Sequence, residues 1–314
     1  MRRYSFIALA TFVLCLSSLS SLKACDICGS GVGSYYLGIL PDFNKRFVGL
    51  RYQYKTLQTH LGPSGNRTPN TADETYQSME LWGAWNFGAK WRIMAIVPYN
   101  FNKREVANGA LSGTKEGLGD IALMGYYKLF EVNTTVGSKF LSHSLWGGAG
   151  VKTPTGKYDN EERSSASQDA PNNFQLGTAS TDFMLNLAYD IRLMDLGINT
   201  NIIYKINTEN KYEYRYGNKF TANVLAYYKF NVQNKLRIAP NAGVIYETQP
   251  KDVVYNRFDV TQSGGYSTAG IGGIELNIGK ISFGGNYQFI LSQELASGRA
   301  KSGDRVLTHI SYAF

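Results

Sequence analysis

From Arg46 to the C-terminus, apolar and polar side chains alternate with a period of two, the spacing of strands whose two faces meet different surroundings. In the first stretch Val48, Leu50, Tyr52 and Tyr54 share one side, and Gly49, Arg51, Gln53 and Lys55 the other. Comparable stretches recur at Met79–Phe87, Trp91–Phe101, Asp120–Leu129, Leu145–Thr153, Thr181–Tyr189, Leu196–Ile206, Phe220–Phe230, Leu236–Tyr246, Thr268–Ile278, Ile281–Leu291 and Val306–Phe314, so about twelve strands are expected. The parity breaks at Ile271–Ile274, which points to a β-bulge or a misread register near Gly272–Gly273.

The links between these stretches alternate in length. Long polar links at Gln58–Thr75, Lys103–Gly117, Gly156–Asn172, Asn207–Asn218, Glu247–Tyr266 and Ser292–Asp304 take turns with short ones at Gly88–Lys90, Arg192–Asp195, Asn231–Lys235 and Gly279–Lys280. Glu131–Phe140 is of intermediate length. Long loops at one end and tight turns at the other describe an up-and-down barrel in an outer membrane.

Trp85, Phe87, Trp91, Tyr99, Phe101, Tyr127, Tyr189, Tyr204, Tyr228, Phe230, Tyr246, Tyr287 and Phe289 fall at strand ends, where aromatic girdles meet lipid headgroups. A soluble sandwich also alternates, but it has no reason to place aromatics there. Within hydrocarbon every backbone donor and acceptor needs an internal partner, so spanning strands must close into a ring. The expected fold is all-β: a closed antiparallel transmembrane β-barrel of about twelve strands, with residues 46–314 as its extent.

Composition agrees with this pattern. There are 22 Tyr, 16 Phe, 4 Trp and 33 Gly against 8 Pro among 314 residues, a supply of strand and turn formers. Residues 1–24 read as a signal peptide: Arg2 and Arg3, an apolar run from Tyr4 to Leu16, and small residues from Ser17 to a cleavage site after Ala24. Removing Arg2, Arg3 and Lys23 takes the formal charge of +8 to 8 − 3 = +5, too mild to suggest a nucleic-acid partner. Residues 25–45 form an N-terminal segment, periplasmic or tucked into the lumen as a small plug.

Three motifs punctuate the middle third: Gly117-Leu118-Gly119-Asp120, Gly150-Val151-Lys152-Thr153-Pro154-Thr155-Gly156-Lys157, and Asn173-Phe174-Gln175-Leu176-Gly177-Thr178-Ala179-Ser180-Thr181-Asp182. Together they resemble the outer-membrane transporter barrels related to the MetA protein of phenol degradation pathways, in which a Gly is expected near Ala179. Cys25-Asp26-Ile27-Cys28-Gly29 followed by Tyr35-Tyr36-Leu37-Gly38-Ile39-Leu40-Pro41 is similar to Bacteroidetes members. The resemblance implies uptake of aromatic or other hydrophobic compounds across the cell outer membrane. Val306, Thr308, Ile310, Tyr312 and Phe314 resemble the C-terminal signal read by the barrel-assembly machinery, which makes that machinery, outer-membrane lipid and a small solute the expected partners.

On the face opposite the aromatics, Arg51, Glu80, Arg92, Asp120, Lys128, Lys152, Asp182, Asn186, Lys205 and Arg237 are the candidate lumen-lining residues. Asp120, Lys152 and Asp182 are expected near the outer rim, as a charged constriction or a salt-bridge lattice. With both signs present, strong ion selectivity is not predicted. Cys25 and Cys28 admit three readings: a disulfide in an oxidising periplasm, lipidation of Cys25, and a metal site for which no nearby His supplies further ligands.

Catalysis is not expected, and no cofactor. The three histidines, His60, His143 and His309, stand without a nucleophile motif. The function expected is that of a channel for passive uptake of small solutes. The alternatives are a structural or adhesive barrel acting through its loops, and a lipid-modifying enzyme.

Overall fold

The computed structural model describes residues 45–314 apart from 108, 110, 111, 161–171 and 234. Twelve long strands form one antiparallel up-and-down sheet: β1 (Phe47–Thr59), β2 (Ala72–Phe87), β3 (Trp91–Val106), β4 (Ala122–Val136), β5 (Lys139–Lys152), β6 (Asp182–Leu193), β7 (Leu196–Ile206), β8 (Lys219–Tyr228), β9 (Leu236–Gln249), β10 (Gly265–Ile278), β11 (Ile281–Leu295) and β12 (Lys301–Ala313). Each pairs with its sequence neighbours, and β1 pairs with β12 from Phe47↔Ala313 to Gln58↔Lys301, so the ring is closed.

Alternation along each strand decides what faces lipid. Leu50, Leu81, Leu123, Leu185, Val224, Val244 and Ile274 are each about half exposed, while the residues between them are mostly buried. On β3 the outward aromatics run from Trp91 to Tyr99 and Phe101. Ten residue steps cover about 33 Å of strand, or about 25 Å along the membrane normal at the usual tilt, which is the height of a lipid-facing band.

The strands run further than their apolar alternation suggests. Glu131–Phe140 is not an intermediate link: its β-branched Val132, Thr134, Thr135 and Val136 continue β4, and only Gly137 and Ser138 turn into β5. The link expected at Ser292–Asp304 contracts to Ala296–Ala300, because Ser292–Leu295 and Lys301–Asp304 remain in strand. The links after β2, β4, β6, β8 and β10 all lie at one end of the barrel, together with Arg46 and Phe314. The remaining connections lie at the other.

Nor is there a bulge at Gly272–Gly273. The β9–β10 register passes through both glycines unbroken, and the irregularity in β10–β11 falls between Thr268 and Ala269. Ile271 breaks the sequence parity because it is an apolar residue pointing inward, where it packs with Leu225, Ile245, Ala269 and Leu307.

At the loop end, residues Tyr214–Arg215, Val253–Val254 and Phe258–Asp259 form a small three-stranded sheet joining the β7–β8 and β9–β10 loops. Its core is Tyr214, Tyr216, Val254 and Val260. The Asp252 carboxylate ties it together, accepting from the Tyr214 hydroxyl and, at 2.8 Å, from the Gly217 backbone N–H.

Candidate functional site

The inward positions carry most of the polar candidates. Arg51 and Glu80 are direct cross-strand neighbours on β1 and β2 and form a buried ion pair, with Gln53 donating to Glu80 at 2.8 Å. Arg92, near the start of β3, donates to Asn86 at 3.2 Å and lies 5.6 Å from the centre of the Phe47 ring. Asn186 donates to Asn201 at 3.1 Å. Lys128 and Arg237 are half-buried at the short-turn end, where Lys128 pairs with Glu131 at 2.6 Å and Arg237 donates to Asn231 at 3.3 Å.

Asp120, Lys152, Asp182 and Lys205 meet in one cluster, which is where the three sequence motifs converge. Lys152 Nζ lies 2.5 Å from Asp120 and 2.9 Å from Asp182, and Lys205 Nζ lies 3.2 Å from Asp182. Lys152 also donates to the Thr178 hydroxyl and to the Ser180 carbonyl. Asp120 accepts from the Gly156 and Thr178 backbone N–H groups at 3.0 and 2.9 Å. Such saturation lets four charges lie buried together without large cost.

The glycines of two motifs make the approach possible. A Cβ on Gly177 would lie 2.4 Å from Asp120 Oδ1 and 2.7 Å from the Gly156 Cα. The first motif does not simply open a strand. It sits at a break, with Gly113–Leu118 continuing the ladder on β3 above it and β4 beginning at Ala122 below it. Asp120 lies in the break, fully buried.

From this cluster the segment Asn172–Ser180 extends across the outer mouth inside the ring. Asn100 and Asn102 of β3 donate to the carbonyls of Leu176 and Gln175, both at 3.2 Å. The Phe174 ring lies edge-on to Tyr76 at 6.5 Å and 4.3 Å from the Arg104 guanidinium, packed with Leu57, Leu295 and Ala296. Tyr216 and Asn210 hold its other side through the carbonyls of Asn172 and Thr178. The result is a shelf anchored to three sectors of the barrel. Below it, a cavity of about 30 Å³ touches Gln53, Ser78, Asn100, Asn102, Gln288 and Arg305, room for one or two waters.

Further inward charges extend the mixed pattern. Glu247 pairs with Lys219 at 2.7 Å and with Arg305, Glu74 pairs with Arg104 at 2.8 Å, and Glu275 lies 3.0 Å from His309. Glu74, Arg104, Lys219 and Arg305 were not legible as lumen candidates because they lie at strand ends, beyond the apolar alternation. The inner face is also less polar than expected. Phe47, Trp82, Met94, Ile96, Met124, Tyr126, Trp146 and Met184 form a buried apolar wall on β1–β6. Met94 and Ile96 share the parity of Arg92, a signal present in the sequence.

His60 contacts Thr59, His143 contacts Tyr189 and His309 contacts Glu275, and none hydrogen-bonds a serine among the described residues. No group of three or more His, Cys, Asp or Glu side chains able to hold a metal occurs among the described residues. Cys25, Cys28, the signal peptide and residues 25–44 of the expected plug lie outside the described residues.

Residues 64–294 match the family described as "Putative MetA-pathway of phenol degradation". No curated protein matches the chain. Among solved structures, an outer membrane channel from Pseudomonas putida F1 is similar with a TM-score of 0.60 at 13% identity, covering 88% of this chain and 100% of that one. The β domain of the Bordetella autotransporter BrkA is similar with a TM-score of 0.51 at 11% identity, covering 86% and 100%. At such identities both speak for the barrel fold.

Proposed function

The chain belongs to the MetA-pathway of phenol degradation family, and from that membership we propose that it is an outer-membrane channel for passive uptake of small solutes, apolar and aromatic ones included. The observation that carries this is the opposition of the two faces of twelve closed strands. The outward face suits acyl chains, and the inward face combines ion pairs and amides with the wall of Trp82, Met94, Met124, Tyr126, Trp146 and Met184.

Neighbouring opposite charges inside the ring leave no ring of one sign, so the channel discriminates weakly between anions and cations. The aromatic and methionine side chains offer a solute with an apolar face a favourable contact on its way. The shelf at Asn172–Ser180 narrows the outer entrance and sets the upper size limit.

Solute flux into liposomes carrying the refolded protein tests this. Swelling in small neutral sugars should exceed that of protein-free liposomes and rise further in Lys152→Met protein, whose shelf has lost its anchor. No swelling with either protein would overturn the proposal.

A further inference from the structure

At the end of the barrel that holds Arg46 and Phe314, three cations stand over aromatic rings of the outer face. The Arg46 guanidinium lies 4.5 Å from the centre of the Trp85 ring, Lys280 lies 5.8 Å from that of Tyr312, and Lys90 6.0 Å from that of Tyr127. All three cations are exposed, and none forms an ion pair among the described residues. The rings belong to the girdle: Trp85 and Tyr312 are about half exposed, Trp85 meets Phe314 at 5.5 Å, and Tyr127 meets the exposed Trp91 at 4.7 Å.

Sheet order makes this one surface. Lys280 precedes β11, Tyr312 lies on β12, Arg46 precedes β1, Trp85 lies on β2, Lys90 precedes β3 and Tyr127 lies on β4, a run of neighbouring strands across the closure of the ring. Residues 278–283, 310–314, 45–50, 83–95 and 123–130, which make up this end of the sector, include no Asp or Glu. The nearest acids are engaged elsewhere: Glu131 pairs with Lys128 at 2.6 Å, and Glu275 faces inward, 3.0 Å from His309. Asp190 and Asp195 lie on and after β6, across the ring. The pairing of opposite charges that fills the lumen is therefore missing from this outer sector.

A ring beneath an ammonium or guanidinium holds the charge at the depth where girdle aromatics meet headgroups. Along the same strands Leu50, Ile93 and Ile310, each nearly half exposed, continue the outward face into hydrocarbon. We propose that this sector binds anionic glycerophospholipids of the leaflet at the short-turn end, the periplasmic one in barrels of this build, with a phosphate at each of Arg46, Lys90 and Lys280 and the acyl chains along Leu50, Ile93 and Ile310. Cations borne two strands apart are separated by about 10 Å, so each takes its own phosphate. A free phosphate offers the same anion, but only a lipid also covers the exposed rings and the aliphatic face beside them.

The surface lies outside the lumen, so its test needs no transport and is independent of the channel reading. Native mass spectrometry of the full-length folded protein in a non-ionic detergent, titrated with phosphatidylglycerol or with phosphatidylcholine of the same chains, measures the bound lipid. Phosphatidylglycerol should bind about five-fold more tightly, the worth of one cation near an anionic surface. Arg46→Ser, Lys90→Ser and Lys280→Ser together should abolish that preference and leave phosphatidylcholine binding unchanged. The same loss of charge across the ring, through Lys139→Ser, Lys229→Ser and Lys235→Ser, should leave the preference intact, and excess inorganic phosphate should not displace the lipid. Equal affinity for the two lipids, an equal loss in the two variants, or displacement by inorganic phosphate would overturn the assignment. If the sector variant does not fold, the parent protein still decides: its preference should shrink as sodium chloride is raised, and a preference indifferent to salt would overturn the assignment too.

Discussion

Lys152 Nζ lies 2.9 Å from the Asp182 carboxylate, and the two residues are direct cross-strand partners on β5 and β6. With Asp120 on the other side of the lysine, one ammonium joins the break before β4, the end of β5 and the start of β6, and through Thr178 it fixes the shelf over the mouth.

Replacing Lys152 with Met should therefore act at two levels. It leaves Asp120 without its counter-charge and Asp182 with Lys205 alone, a loss of about 3 kcal/mol. Urea-driven unfolding measures that loss. Limited proteolysis should find cleavage within Asn172–Ser180 that the parent protein resists, and an unchanged digestion pattern would show that the shelf does not depend on this lysine.

Ala179 has φ of +56°, in the left-handed region where a side chain is strained. The resemblance of the motif leads to the expectation of a glycine near this position. Ala179→Gly should stabilise the barrel by about 1 kcal/mol, the relief of strain outweighing the added freedom of the unfolded chain. A destabilised variant in thermal unfolding would contradict it.

Orientation of the strands can be tested at adjacent positions of β6. Leu187 faces outward between the two girdles, and Asn186 faces inward. Leu187→Arg should cost about 2–4 kcal/mol in folding into lipid vesicles. Asn186→Ala, which removes the hydrogen bond to Asn201, should cost only about 1 kcal/mol. The opposite ranking would reverse the faces.

His60, in the loop after β1, should make that loop acid-sensitive. Burial, the largest influence, lowers the imidazole below its ordinary value of 6.5. The folded loop thus favours the neutral ring, and the unfolded loop takes up a proton first as pH falls. The stabilisation is complete above the ordinary imidazole range and is lost on acidification through it. Amide protection across Leu61–Thr71, taken relative to the intrinsic exchange rate at each pH, should fall over that interval in the parent protein and stay level in His60→Gln protein.

All twelve strands were legible because hydrocarbon on one side and a lumen on the other impose a period of two, and Leu196–Ile206 agrees residue for residue. Strand length was not. Beyond the girdles both faces meet water, so Val132–Val136 and Ser292–Leu295 carry no alternation to betray them. Of the two readings of the parity break at Ile271–Ile274, the bulge fails and the register reading holds, because Ile271 is an apolar residue on the inner face. Asp120, Lys152 and Asp182 could be named from the motifs, yet the shelf they support could not. Phe174 is an apolar residue in a polar loop, and only the three-dimensional meeting of β1, β2 and β11 gives it a place to pack.

The ladder between β1 and β12 joins the first and last strands of the ring, with Phe47 opposite Ala313. No portion of the polypeptide can seal the cylinder before its final strand has arrived. Until then the opening strand presents bare donors and acceptors, an edge on which another copy of the chain can pair, so closure of the ring is also what removes that hazard.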